Sequence, residues 1–535
     1  MPSRRSTVVG GLVALLVGAT PAVAGAQPET EPVAVPVLAW ASCGTTPEAT
    51  AAGVECARAP LPMDYDDPAG EQVEIAVARI PATDPANRIG SLFFNLGGPG
   101  GPSVEVLQTL GPVLFGALNQ RFDIVGFDPR GVGQSTPAVA CNAPPEPLTP
   151  AADPFGLDVD ALVAVFQRYV DACRANNGAI LEHLSTANVA RDMDVLRAAL
   201  GEERLSYLGF SYGTFLGATY ASLFPDRYRA LVLDGGVDPD LYVEDPLALR
   251  TLQLGGFEDA LDRFLDACAA DQVACSGFGG SDPHAAFDAL LATADATPLP
   301  VPGFPEDPTP VVGDEIRVVT FQLLYAKQAW GVLAAALAAA EDGDGSLVRA
   351  LSSLLAAANA PTGDALAAIT AADQQWPADR DPYLRRSAQE WVEFPHFWRL
   401  LGSHNLLFHA LWPVRDEDAF SGPFVADPSA PPVLVVGTTH DPATPYSGAV
   451  ALTEQLGNAR LITMDGDGHT AYGGNSACID SATDSYLVTG TLPPEGTVCP
   501  QEVPFTSPEE VPVPVGTATS LPLPVTAIGV LTAGR

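Results

Sequence analysis

At 535 residues the chain is too long for one small core and long enough for a large α/β domain with a substantial insertion. Hydrophobic residues make up 47% and charged ones 17%, a globular and not a disordered composition. The net charge of -38 argues against nucleic acid as a partner, because phosphate binding needs clustered Lys and Arg, and it reads as a solvated acidic surface.

Residues 1–26 combine Arg4 and Arg5, an apolar run from Val8 to Val17 and the small residues Ala22-Val23-Ala24-Gly25-Ala26. This is the pattern of a secretory signal peptide cleaved after Ala24 or Ala26, and Arg4-Arg5 also permits a twin-arginine route. The apolar run is too short to span a bilayer, so a secreted protein is expected. Eight cysteines in an exported chain point to disulfides, whose connectivity spacing alone does not decide. A zinc site is the weaker reading, since the chain has no C-x-x-C or His-Cys cluster.

Apolar strand-like runs then recur with turn or helix signals between them. They are Val73 to Ala78, Ser91 to Phe94, Phe122 to Gly126, Leu205 to Leu208 and Ala230 to Leu233, followed much later by Pro432 to Val436 and Arg460 to Thr463. Near-continuous apolar strands alternating with helices, such as Thr186 to Leu200, predict a mostly parallel sheet with helices on both faces. The stretch from Pro239 to Leu411 interrupts this rhythm with Ala and Leu at helical spacing and reads as a helical cap. The predicted organisation is a signal peptide at 1–26, core at 27–238, helical cap at 239–411, core again at 412–505 and a Pro-rich tail at 506–535. The apolar end of that tail contains prolines and is too short to span.

Gly209-Phe210-Ser211-Tyr212-Gly213 lies between a predicted strand and a helix beginning at Thr214. A G-x-S-x-G there makes a sharp turn that projects the serine hydroxyl above the sheet. A serine needs a base to take its proton and a third group to orient that base, in the chain order Ser, acid, His. His469, in Gly466-Asp467-Gly468-His469-Thr470 after a late strand, fits the base. Asp441, in the turn after Pro432 to Val436, fits the acid. His440 precedes the acid and is set aside as base; Asp467 is the second choice of acid. His404 and His409 fall in a helical stretch and read as packed or solvated. Asn95-Leu96-Gly97-Gly98-Pro99-Gly100-Gly101-Pro102 follows a strand where oxyanion donors belong, with Gly98 and the N–H of Tyr212 forming the hole. No metal or cofactor is implied.

Gly97-Gly98-Pro99-Gly100-Gly101, Asp128-Pro129-Arg130-Gly131-Val132-Gly133-Gln134-Ser135, the pentapeptide around Ser211 and His440-Asp441-Pro442-Ala443-Thr444-Pro445 together resemble the secreted tripeptidyl aminopeptidases of actinobacteria. These are α/β-hydrolases related to proline iminopeptidases. The resemblance runs from Trp40 to about Cys499, strong in the core and weak in the cap. It implies an α/β-hydrolase fold and a serine exopeptidase that takes peptides with a free N-terminus. It also implies the neighbour disulfides Cys43–Cys56, Cys141–Cys173, Cys268–Cys275 and Cys478–Cys499. Where many relatives carry a Cys before paired acids late in the cap, this chain has Ser387 to Pro395 without one. Glu393 or Glu390 is the expected acceptor for a substrate's N-terminal ammonium. The rival readings are an esterase or small-amide hydrolase using the same triad, and a catalytically silent binding protein.

Overall fold

The computed structural model describes residues 33–144, 153–359 and 362–506. The expected signal peptide at 1–26 and all but the first residue of the expected tail at 506–535 lie outside the described residues.

Ten strands form one sheet. They are β1 (Ala41–Ser42), β2 (Glu55–Pro62), β3 (Gln72–Ile80), β4 (Gly90–Asn95), β5 (Phe122–Phe127), β6 (Leu205–Phe210), β7 (Tyr228–Asp234), β8 (Val433–His440), β9 (Ala459–Asp467) and β10 (Val498–Pro500). Their spatial order is β1-β2-β3-β5-β4-β6-β7-β8-β9-β10. The first three pairings, up to β3 with β5, are antiparallel, and every pairing from β5 onward is parallel. All six residues in each of β4, β5 and β6 are buried, the signature of strands covered on both faces. Alternate side chains feed opposite layers: Phe93, Val125, Tyr207 and Val435 join one core, while Leu92, Phe94, Leu208 and Val436 join the other. The fold is an α/β-hydrolase fold, and β6 lies at its centre with Ser211 just beyond its end.

Strands β1, β2 and β10, at the two margins of the sheet, have no counterpart among the predicted runs. The edge strands β1 and β10 have two and three residues, and two prolines sit in the eight residues of β2. Disulfides secure these margins. Cys43–Cys56 ties β2 to the residue after β1, and Cys478–Cys499 ties the helix Ala477–Thr489 to β10. The other two join Cys141 to Cys173 and Cys268 to Cys275. With its cysteines 21 positions apart, the Cys478–Cys499 link constrains the unfolded chain by about 3 kcal/mol.

Between β7 and β8 the chain passes through a series of helices, beginning at Pro239–Glu244 and Pro246–Ala270 and ending in the turns at Ser403–Leu411. Most of them close around an apolar core of their own that includes Phe257, Phe264, Phe321 and Trp330. The helix Gly363–Asp373 differs. Its Ala365, Ala368, Ile369 and Ala372 belong to the sheet's core cluster, beside Phe215 and Tyr242. Small side chains permit that approach: a Cβ at Gly100 would lie 3.2 Å from that of Ala365. Among the described residues no helix is long and apolar enough to cross a membrane.

The Asp128 to Ser135 segment braces the centre of the fold. Asp128 accepts from the N–H groups of Ser103, Val104 and Gln134, and burial lifts its carboxyl to about 6 against those bonds. Arg130 is fully buried. It meets both oxygens of Asp192 at 2.8 and 2.7 Å and donates its remaining protons to the carbonyls of Met63, His183 and Pro62. Removing one partner strands a buried charge, so Arg130→Met is expected to cost about 3–5 kcal/mol. A fall in the urea midpoint of unfolding tests this, and a midpoint equal to wild type would refute it.

Candidate active site

Ser211 sits at the junction of β6 and the helix Tyr212–Leu223 with φ 56° and ψ −127°, a left-handed backbone rare for a side chain other than glycine. The flanking glycines are required by contact: a Cβ on Gly209 would stand 2.3 Å from the carbonyl oxygen of Gly213, and one on Gly213 would stand 2.9 Å from that of Asn95. The Ser211 N–H donates to the Asp234 carbonyl at 2.9 Å, and the hydroxyl of Thr214 donates to the Ser211 carbonyl at 2.6 Å. These bonds hold the turn through its backbone and leave the hydroxyl uncommitted.

His469 lies two residues beyond β9 and is buried. Its Nδ1 is 2.9 Å from both carboxylate oxygens of Asp441, which assigns the proton to Nδ1 and leaves the lone pair on Nε2. Asp441 also accepts from the N–H of Ala443 at 2.9 Å, from the N–H and hydroxyl of Thr444 at 2.8 and 3.0 Å, and from the N–H of Thr470 at 3.3 Å. The His469 N–H donates to the carbonyl of Tyr325, a residue of the inserted segment, at 2.6 Å. Nε2 is buried and makes no hydrogen bond to any described residue, Ser211 included. Ser211 and His469 are nonetheless near neighbours across one short segment. The Asp234 carbonyl receives the Ser211 N–H, and a Cβ on the next residue, Gly235, would lie 3.2 Å from Cε1 of His469. Such bonds are often long in an empty site and tighten when substrate is bound.

The loop after β4 closes over Ser211. A Cβ on Gly97, at φ 91°, would fall 2.9 Å from Cβ of Ser211 and 3.1 Å from the Tyr212 nitrogen. Gly98, at φ 111°, lines the narrow space above Ser211 together with Tyr212. The Tyr212 N–H opens a helix, where such donors lack an intrahelical partner. The Tyr212 side chain points elsewhere, its hydroxyl bonded to Thr186, which in turn donates to Asp373 at 2.6 Å.

The two residues set aside as base and acid serve to hold the inserted helices. His440 Nδ1 pairs with Asp259 of the helix Pro246–Ala270 at 2.9 Å. Asp467 accepts from Arg263 of the same helix and from Lys327. Although largely buried, its carboxyl is held below the usual range by these two cations. His404 is buried against Ser387, and His409 stacks on Trp376 with ring centres 3.7 Å apart; burial lowers them to about 4 and about 3.

A chamber of about 670 Å³ adjoins the space over Ser211, and Gly98, Tyr242, Leu249 and Gln253 line both. Neither Glu390 nor Glu393 lines it. Glu390 is fully buried and accepts from the N–H and hydroxyl of Ser403 and the hydroxyl of Thr251, all at 2.7 Å, away from the chamber. Glu393 ends its helix exposed on the surface. The carboxylate in the chamber wall is Asp364, which accepts from the Tyr169 hydroxyl at 2.9 Å and the Cys141 N–H at 2.7 Å. Its sequence neighbourhood carries no motif that would have singled it out.

Asp234, at the end of β7, was also not singled out. Its carboxylate accepts from the N–H groups of Ala471 and Tyr472, fixing the segment that follows His469. Burial raises that carboxyl to about 7, against those hydrogen bonds and with nearby Asp441 adding to the rise. An Asp-Gly-Gly immediately after an apolar strand was the available signal.

The chain is similar to known hydrolases. A family model described as TAP-like protein matches residues 398–499. The chain is 35% identical to Serine protease Hip1 of Mycobacterium tuberculosis over 507 residues, covering 91% of this chain and 95% of that one. It is 35% identical to Carboxylesterase B of the same organism, covering 90% and 94%. It is 34% identical to Tripeptidyl aminopeptidase of Streptomyces lividans, covering 83% of each.

Proposed function

The chain belongs to the tripeptidyl-aminopeptidase-like family of α/β-hydrolases and is a serine hydrolase, and from that premise we propose that it is an exported aminopeptidase. In this reading it releases short peptides, tripeptides first among them, from free N-termini. The observation that carries the catalytic part is the buried Asp441–His469 pair beside the strained serine. Ser211 Oγ attacks the scissile carbonyl while His469 Nε2 takes its proton. The N–H groups of Gly98 and Tyr212 receive the negative charge that develops on the carbonyl oxygen. His469 then gives the proton to the departing amine, leaving an acyl-enzyme, and water repeats the sequence to regenerate Ser211. Asp441 holds the imidazole in the productive tautomer and offsets its charge. The four disulfides support export.

The ammonium-binding role expected of Glu390 or Glu393 passes in this proposal to Asp364. A carboxylate has about four acceptor sites, so two donors leave room for an ammonium. The chamber has the size of a small-molecule site and suits a few residues better than a long chain.

The test compares a free tripeptide amide, its N-acetylated form and a short acyl ester. Blocking the amine should reduce kcat/KM by about tenfold or more, the scale of one charge-assisted hydrogen bond. Cleavage of the ester in preference to the free amide would overturn the peptidase reading. It would favour an esterase, the reading supported by the Carboxylesterase B relative at equal identity.

A further inference from the structure

The helix Pro246–Ala270 turns one face to the chamber, with Pro246, Leu249, Arg250 and Gln253 at the i, i+3, i+4, i+7 spacing of a single stripe. Leu249 and Gln253 also border the space over Ser211, whereas Arg250, between them in sequence, lines the chamber alone. Gln253 is committed to the Ala443 carbonyl at 2.9 Å. Arg250 is not committed: among the described residues its guanidinium makes no hydrogen bond and no ion pair.

That is unusual for an arginine so placed. Arg130, Arg197, Arg317 and Arg399 all meet carboxylates. Glu390 is the nearby carboxylate whose charge favours the ionised guanidinium, but it accepts from Thr251 and Ser403 and forms no ion pair with Arg250. Desolvation works against the Arg250 charge, yet guanidinium stays protonated in proteins. The other charged residues in the chamber wall, Arg168 and Asp364, are each engaged by other groups. A part-buried guanidinium whose five donors meet no described residue is complementary to a carboxylate, which it can meet through two parallel hydrogen bonds.

We infer that Arg250 receives a carboxylate on the acyl side of the substrate, an acidic side chain within the peptide released. This rests on the aminopeptidase reading for the identity of the acyl group, and on the chamber alone for its charge. A neutral carbonyl would satisfy some donors but leave the charge uncompensated, so Glu should be chosen over the isosteric Gln.

The test uses the purified full-length protein and free tripeptidyl p-nitroanilides carrying Glu or Gln at each of the three positions in turn. Wild type is expected to prefer Glu at one position by about tenfold or more in kcat/KM, the scale of a charge-assisted hydrogen bond. In Arg250→Gln that ratio should fall to about 1, with Arg250→Lys between the two. Equal use of Glu and Gln by wild type at all positions would overturn the inference while leaving the peptidase reading intact. A Glu preference that survives in Arg250→Gln would also overturn it. Should wild type cleave esters and no peptide, the peptidase reading fails separately. The ratio of p-nitrophenyl hemisuccinate to p-nitrophenyl butyrate hydrolysis then decides for or against Arg250 by the same criterion.

Discussion

Ser211→Ala is expected to lower kcat by about 10⁴-fold or more while leaving the fold unchanged. The loss is large because the hydroxyl is the atom that forms the acyl-enzyme, and neither neighbouring hydroxyl can replace it. Thr214 is tied to the Ser211 carbonyl, and Thr444 is tied to Asp441. The fold should be indifferent because the turn is held by the Ser211 N–H and carbonyl, both of which alanine retains. The left-handed backbone at φ 56° is equally available to both residues. Steady-state kinetics on the preferred amide, with thermal unfolding of the same preparations, tests both halves. Activity within tenfold of wild type would remove Ser211 from the mechanism.

Asp441→Asn should reduce kcat by about 10⁴-fold with a much smaller change in KM. The geometry explains why so small an edit is severe. Oδ1 accepts two backbone N–H groups, from Ala443 and Thr444, so the amide oxygen of asparagine must stay there. The amide nitrogen then occupies the Oδ2 position, facing Nδ1 of His469 and the N–H of Thr470. Its protons favour a lone pair on Nδ1 and move the imidazole proton to Nε2, where it blocks acceptance of the serine proton. Asp467→Asn is the control. It weakens the contacts to Arg263 and Lys327 without touching Nδ1, and should cost no more than about tenfold. A larger loss in Asp467→Asn than in Asp441→Asn would reverse the two assignments.

Much of this arrangement was legible before the fold was known. The central strands announced themselves because burial on both faces requires long apolar runs, as in Ser91 to Phe94 and Leu205 to Leu208. The elbow was legible because two glycines are needed where any Cβ would fall within 3 Å of a backbone oxygen, at Gly209 and Gly213. The strand ends were underestimated: β9 continues to Asp467, four residues past the predicted Thr463, because its polar end pairs with β8 beyond the apolar core. The helix Gly363–Asp373 read as cap from its alanines, yet the same small side chains let it pack into the sheet's core.

The sequence by itself determined the fold class, the order of strand, serine, acid and histidine, and the residue types that a nucleophilic site needs. Those features are local, since periodicity, turn glycines and a motif's position after a strand are all written within a few residues. Only the tertiary structure decided which carboxylate faces the chamber. Glu390 and Asp364 are both acidic residues on helices, but packing against other parts of the chain buries one and places the other in the wall. The fold, likewise, sets Arg250 in the chamber wall with no hydrogen bond or ion pair to another described residue. An ion pair is a property of two distant segments brought together, and no pattern along one segment can report that its partner is missing.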